Sequence, residues 1–318
     1  MRRHFSSART GSTGPPGLAR VSAGGHDDPV GRGVIVGQEF GADFSDAWYR
    51  TPKYEALTAG AIFDAGVQDI DLLVLGLPVS HYLQSKPAEY LKDKYRNSSI
   101  SVGGKTFSIG EVSALPQTLG SYLLLGEFVS KINTEFRRVG RDPIKDVSHL
   151  VGMPIMVMNP GQETMDWIVY QDGVVIQDAS GAEGGHGRMH IIQHVAERME
   201  RDTGMTIKWG SRVDMNMALL QKKPIFVTGK RIDTADYVGV AKAAAGDSVD
   251  LVLTRVGNML DRIQMIVVAG GHPEYYVEYL RSKLPNVPVI DSGLGIFGNV
   301  TGFLLSGEET MRRTQQGA

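Results

Sequence analysis

Residues 159–166 read Asn-Pro-Gly-Gln-Glu-Thr-Met-Asp and lie between two apolar runs, 154–158 and 167–170. A glycine between two strands lets the backbone bend without a Cβ in the way, so successive N–H groups can point at one anion. That makes Gly161, Gln162, Glu163 and Thr164 a candidate phosphate seat, with the Thr164 hydroxyl as a further donor. Asn159 and Asp166, at the end of one run and the start of the next, are placed to hold the water shell of a magnesium ion. The same residues also suit a plain hairpin, because Asn, Pro and Gly are what a tight turn prefers. A second site follows at residues 267–271, Val-Val-Ala-Gly-Gly, where a buried-looking strand ends in a side-chain-free edge just before a helix start. A flat ligand can lie against such an edge, though a strand-to-helix turn needing positive φ would read alike.

The histidines carry a weaker signal. His186 lies in a glycine-rich loop, residues 181–187, with no metal-spaced histidine beside it, and reads as a loop residue. His190 and His194 have helical i, i+4 spacing but no acid at metalloprotease spacing, which reads as a solvated helix face.

The elements that position these residues alternate strand and helix. Thr51-Pro52 supplies an N-cap and a first-turn proline for a helix reaching about Asp64. Residues 71–78 form a continuous apolar run ended by proline, the pattern of a strand buried on both faces. Gly103-Gly104 predicts a hairpin, and apolar residues from Tyr122 to Phe136 predict one helix over 120–138. Asp172-Gly173 closes another hairpin; helices follow at about 189–201, 215–220, 235–257 and 274–284, with strands at 225–227 and 264–268. A short strand is expected at 33–37, flexible tails at 1–33 and 308–318, and two α/β lobes at 34–150 and 151–307.

Composition narrows the function. The chain has 318 residues, a formal net charge of −2 and no cysteine. Near-neutral charge disfavours direct nucleic-acid binding, and the absence of cysteine removes disulfides, thiol catalysis and thiolate metal sites. No apolar stretch approaches the roughly 18 residues of a membrane span, so a cytoplasmic protein without a membrane partner is expected.

The order of the two glycine sites resembles the actin-like ATPase superfamily, and within it the plasmid-segregation proteins of the ParM/StbA type. Its second phosphate hairpin, D-x-G-x-x-T-x-D, is matched at Gly161, Thr164 and Asp166, with Asn159 in place of the first acid. Its adenosine motif is similar to residues 267–271, which puts Gly270, Gly271 and His272 beside the nucleotide; Leu75-Gly76-Leu77-Pro78-Val79 resembles a ParM-type strand end. The resemblance implies a two-lobed, ribonuclease H-like α/β fold with a nucleotide cleft, ATP and Mg²⁺ as ligands, and head-to-tail filaments that engage DNA through an adaptor protein. It also implies that Gln117 orients an attacking water, that Asn159 and Asp166 share the catalytic work, and that Gly185 passes near the nucleotide. The superfamily opens with another phosphate hairpin, D-x-G-x-x-x-x-K. No such element precedes Val34. Its absence and the Asn159 replacement point to weak turnover, or to an actin-like scaffold that no longer hydrolyses nucleotide.

Overall fold

The computed structural model describes residues 19–23, 26–30, 47–270 and 273–317. The expected strand at 33–37 lies outside these residues, as do Gly271 and His272. The chain divides into two compact units, one of Met1–Leu73 with Tyr90–Val112, the other of Val74–Glu89 with Ser113–Ala318. This division differs from a cut near residue 150, because two long strands each pass from one unit into the other.

The first unit holds a hairpin of β1 (Ala19–Ala23) and β2 (His26–Val30), within the stretch expected to be a tail. Helix α1 (Pro52–Ala65) follows, and its Thr51 cap accepts from the Tyr54 N–H at 3.3 Å. It ends at Gly66, whose φ of 70° is the left-handed conformation that glycine adopts at a helix end. Strand β3 (Asp69–Leu77) starts here and runs into the second unit, where α2 (Val79–Leu83) and the start of α3 (Lys86–Tyr95) lie. Strands β4 (Ser98–Val102) and β5 (Lys105–Pro116) turn through Gly103 and Gly104, both at positive φ, and the sheet order is β3-β5-β4. Lys94 pairs with Glu55 within this unit.

The second unit is a sandwich of helices about one sheet. After α4 (Gln117–Leu123) the expected single helix breaks into a 3-10 segment, Leu124–Phe128, before α5 (Val129–Arg138) resumes. Strands β6 (Ile155–Pro160), β7 (Thr164–Gln171), β8 (Val174–Val175) and β9 (Gly181–Gly184) come next, then α6 (Arg188–Thr203) and α7 (Trp209–Gln221). A small hairpin, β10 (Ile225–Val227) and β11 (Lys230–Ile232), leads to α8 (Val238–Val256), β12 (Met265–Val268), α9 (Glu274–Lys283), β13 (Val289–Asp291) and α10 (Gly298–Gly317). The helix of α10 continues through most of the stretch expected to be a second tail. None of the described helices is long and apolar enough to cross a membrane.

The sheet runs β13-β12-β6-β7-β8, with β9 also on β7. Strands β13, β12 and β6 are parallel, and β7 returns antiparallel. Side chains still alternate although both faces are covered. Met156, Met158, Ile266 and Val268 enter one core with α6, α8 and α9; Ile155, Val157, Met265 and Val267 enter the other with Phe128, Ile132 and Phe136. This explains why β6 reads as an unbroken apolar run. Across the second face, buried Glu135 of α5 accepts from Arg281 of α9 at 2.8 Å and from the Val289 N–H of β13 at 3.3 Å, tying three elements together.

Candidate functional site

The three parallel strands end at one edge of the sheet, where the sequence places its glycines. Open α/β sheets bind ligands at such an edge. The N–H of Ala269 donates to the Met158 carbonyl at 2.8 Å, and that of Ser292 to Val268 at 3.0 Å, so β13, β12 and β6 finish side by side. Gly270 has a φ of 82°, and a Cβ there would lie 2.8 Å from the Pro160 carbonyl and 3.0 Å from Asn159 Oδ1. The two glycine sites are thus adjacent, with Gly270 against the base of the 161–164 turn.

The turn is held from behind by a helix. Across the β6–β7 pair Asn159 faces Asp166 in register, and the Gly161 N–H closes the turn on the Thr164 carbonyl at 2.8 Å. The carbonyls of Glu163, Gly161 and Gln162 accept from the N–H groups of Gly187, Arg188 and Met189, each at 2.9 Å. These are among the donors that the start of α6 leaves without an intrahelical partner. Because C=O and N–H point opposite ways across a trans peptide, the N–H groups of Gln162, Glu163 and Thr164 all face away from α6. Those of Gln162 and Glu163 donate to no backbone group among the described residues. Two such parallel amide dipoles suit an anion nest.

Gly187 permits this close seat. A Cβ there would lie 2.6 Å from the Glu163 carbonyl carbon and 2.7 Å from the Gln162 oxygen. Arg188 then fixes the exposed Gln162 side chain, its guanidinium donating to Oε1 at 2.8 Å. Burial raises the pKa of Glu163 and lowers that of Arg188. Gly185 is exposed, at a φ of 72°, with open space where a Cβ would be. It shapes the loop, while Gly187, which the sequence reading passed over, touches the turn. The expected loop at 181–187 is in part strand β9, paired to β7, with Gly181 leaving room for the Trp167 ring.

Asp166 is buried and held by the protein at both oxygens. It is 1 % exposed, accepts from the Thr164 hydroxyl at 3.0 Å and, through its other oxygen, from the Val79 N–H at 3.3 Å. It therefore ties the start of α2, just past β3, to the turn. Asn159 is likewise buried, its Oδ1 accepting from Asn299 of α10 at 3.3 Å, while Asn299 accepts from Ser121 of α4 at 2.7 Å. The two residues expected to hold the water shell of magnesium are thus each hydrogen-bonded within the protein, one accepted bond to each of these oxygens. Gln117 opens α4 beside Gly76, and its Cγ would lie 3.5 Å from a Cβ at that glycine.

Burial pushes the Asp166 carboxyl up to about 6 from 3.8, against the two hydrogen bonds that lower it. The native state then binds a proton between these values where the unfolded chain does not, so ionised Asp166 costs stability at neutral pH. Relative to Asp166→Asn, the wild type is expected to lose up to about 3 kcal/mol as pH rises from about 3 to about 7. Urea midpoints of both proteins across that range check this, and parallel profiles would contradict it.

Comparison with known proteins agrees with this architecture. Residues 4–120 match the family model described as the N-terminal domain of actin-like proteins, and residues 157–280 match that of the archaeal MreB-like actin homologue, C-terminal. The chain belongs to the actin-like superfamily. This actin-like protein is similar to Ta0583, an archaeal actin homologue, in complex with ADP, with 15 % identity over 92 % of this chain and 89 % of that one and a TM-score of 0.68. It is also similar to ParM in a 15-stranded filament from Clostridium botulinum, at 18 % identity over 96 % and 90 % of the chains and a TM-score of 0.63. ParM of Bacillus thuringiensis with ATP gives 14 % identity over 93 % and 86 %, with a TM-score of 0.58. No curated protein matches the sequence.

Proposed function

We propose that this actin-like protein binds ATP with Mg²⁺ at the 161–164 turn and assembles head-to-tail into ParM-type filaments that segregate plasmid DNA through an adaptor protein. The orientation of the turn supports the nucleotide part most: the start of α6 takes its carbonyls and leaves the amides of Gln162 and Glu163 to an anion. The Gly270 edge, with Gly271 and His272 after it, would seat the base. Magnesium would arrive on the phosphates, as it commonly does, keeping most of its waters. The solved relatives described with ADP, with ATP and as a filament support the same reading.

Hydrolysis would rest on Gln117 orienting water, with positioning supplying the catalysis. A second reading, a filament or scaffold protein that binds without turnover, is favoured by a specific observation: Asn159 and Asp166 are both engaged by protein donors. Phosphate release separates the two. Saturating ATP with Mg²⁺ is expected to raise Tm by about 5 °C or more at a hundredfold excess over Kd, and to produce light scattering that pellets. No Tm shift at millimolar nucleotide would overturn the binding, and a shift without scattering or pelleting would overturn the filament.

A further inference from the structure

Helix α6 carries a second cluster, on residues that the nucleotide reading does not use. His190 and His194 stand one turn apart on the same face, their rings 4.2 Å from centroid to centroid, and the His186 ring lies beyond, tilted against that of His190 at 4.9 Å. The acid that the sequence pattern lacked comes from elsewhere in the chain: Asp247 of α8, the helix that packs along α6. One ligand atom from each of His190, His194 and Asp247 lies within 4.8 Å of the others.

The tautomers suit coordination. His194 Nδ1 lies 2.9 Å from the His190 carbonyl, which places its proton on Nδ1 and leaves the Nε2 lone pair free. His190 Nε2 is buried and has no hydrogen-bond partner. A buried imidazole nitrogen without a partner is the exception in folded proteins, and a bound ion is one of its standard explanations. Tetrahedral coordination with bonds of about 2.1 Å asks for ligand atoms roughly 3.4 Å apart, so small rotations about χ1 and χ2 would close the site.

We propose that His190, His194 and Asp247 form a transition-metal site of the zinc class, which clamps α6 to α8 and leaves a fourth position for water or an exchangeable ligand. Two imidazoles and one carboxylate favour Zn²⁺, Co²⁺, Ni²⁺ or Cu²⁺ over Mg²⁺ or Ca²⁺, which take oxygen ligands. The site stands or falls apart from nucleotide binding.

The test uses the full chain without an affinity tag, dialysed against Zn²⁺ and analysed for metal, with Co²⁺ absorption as the reporter of coordination geometry. One zinc per chain is expected, with the visible bands of four-coordinate Co²⁺ and a higher Tm when zinc is bound. Asp247 is exposed, so D247N should fold normally and bind at least about tenfold more weakly, the scale on which even outer-shell partners act. H194N should abolish stoichiometric binding, while H149N, at an exposed histidine paired with Asp146, should leave it unchanged. Absence of stoichiometric zinc in the wild type, or binding unaltered by both D247N and H194N, would overturn the site.

Discussion

Gly302→Val is expected to leave little folded protein. Helices α4 and α10 cross with their backbones touching: a Cβ at Gly302 would lie 1.9 Å from the Gly120 carbonyl oxygen, and one at Gly120 would lie 2.1 Å from that of Asn299. Neither obstacle is a side chain that can rotate away. The helices would have to part, and with them would go the bonds by which Asn299 links Ser121 of α4 to Asn159 of β6, at 2.7 and 3.3 Å. Glycine inside a helix costs about 1 kcal/mol against alanine, so the position carries its own packing reason. The loss should exceed about 4 kcal/mol, a large part of the stability of an ordinary domain. Gly126 is the control, since a Cβ there meets nothing within 4 Å. Soluble yield and thermal melts by circular dichroism decide it; a folded Gly302→Val protein with the wild-type Tm would contradict the close crossing.

The second large effect is on binding. Gly187→Val would drive a side chain into the backbone of Gln162 and Glu163, at 2.6 to 2.8 Å from its Cβ. The start of α6 must then withdraw, releasing the three carbonyls that it orients. Two amide contacts to a charged phosphate at about 1.5 to 3 kcal/mol each amount to at least a hundredfold in ATP affinity. The buried face of α6 is untouched, so the protein should still fold. Gly185→Ala separates shape from contact: it strains a positive φ in open space and should leave the affinity within a few-fold of wild type. Calorimetric titration of the three proteins with ATP and Mg²⁺ checks the contrast, and equal loss in both variants would show that the loop as a whole, not Gly187, supports the turn.

Where local chemistry decides, the sequence is readable. Thr51-Pro52 starts α1, Gly103-Gly104 turns β4 into β5, and the apolar run at 154–158 is a strand covered on both faces, whereas the run at 71–78, expected to be covered likewise, buries only Leu75 and Leu77, which share one face of β3. The two glycine motifs meet at one sheet edge because strand direction and order put them there. What stayed hidden depends on partners far along the chain. The break at Leu124–Phe128 interrupts good helical spacing, and β9 is a strand only because β7 offers an edge. Gly187 reads as one more loop glycine until its distance to Glu163 is known. Asp166 matches a catalytic motif, and its oxygens also accept from Thr164 and from Val79, which is 87 residues away. Asp247 joins His190 only through the packing of α8 on α6. Spacing within one segment carries no record of such pairings.

The most direct measurement follows the backbone amides of ¹⁵N-labelled protein during titration with ATP and Mg²⁺. Main-chain donors aimed at a phosphate should give their largest downfield proton shifts at Gln162 and Glu163, with Gly270 responding at the same nucleotide concentration. Saturable ATP binding that leaves those two amides unmoved would contradict an anion seat at the turn.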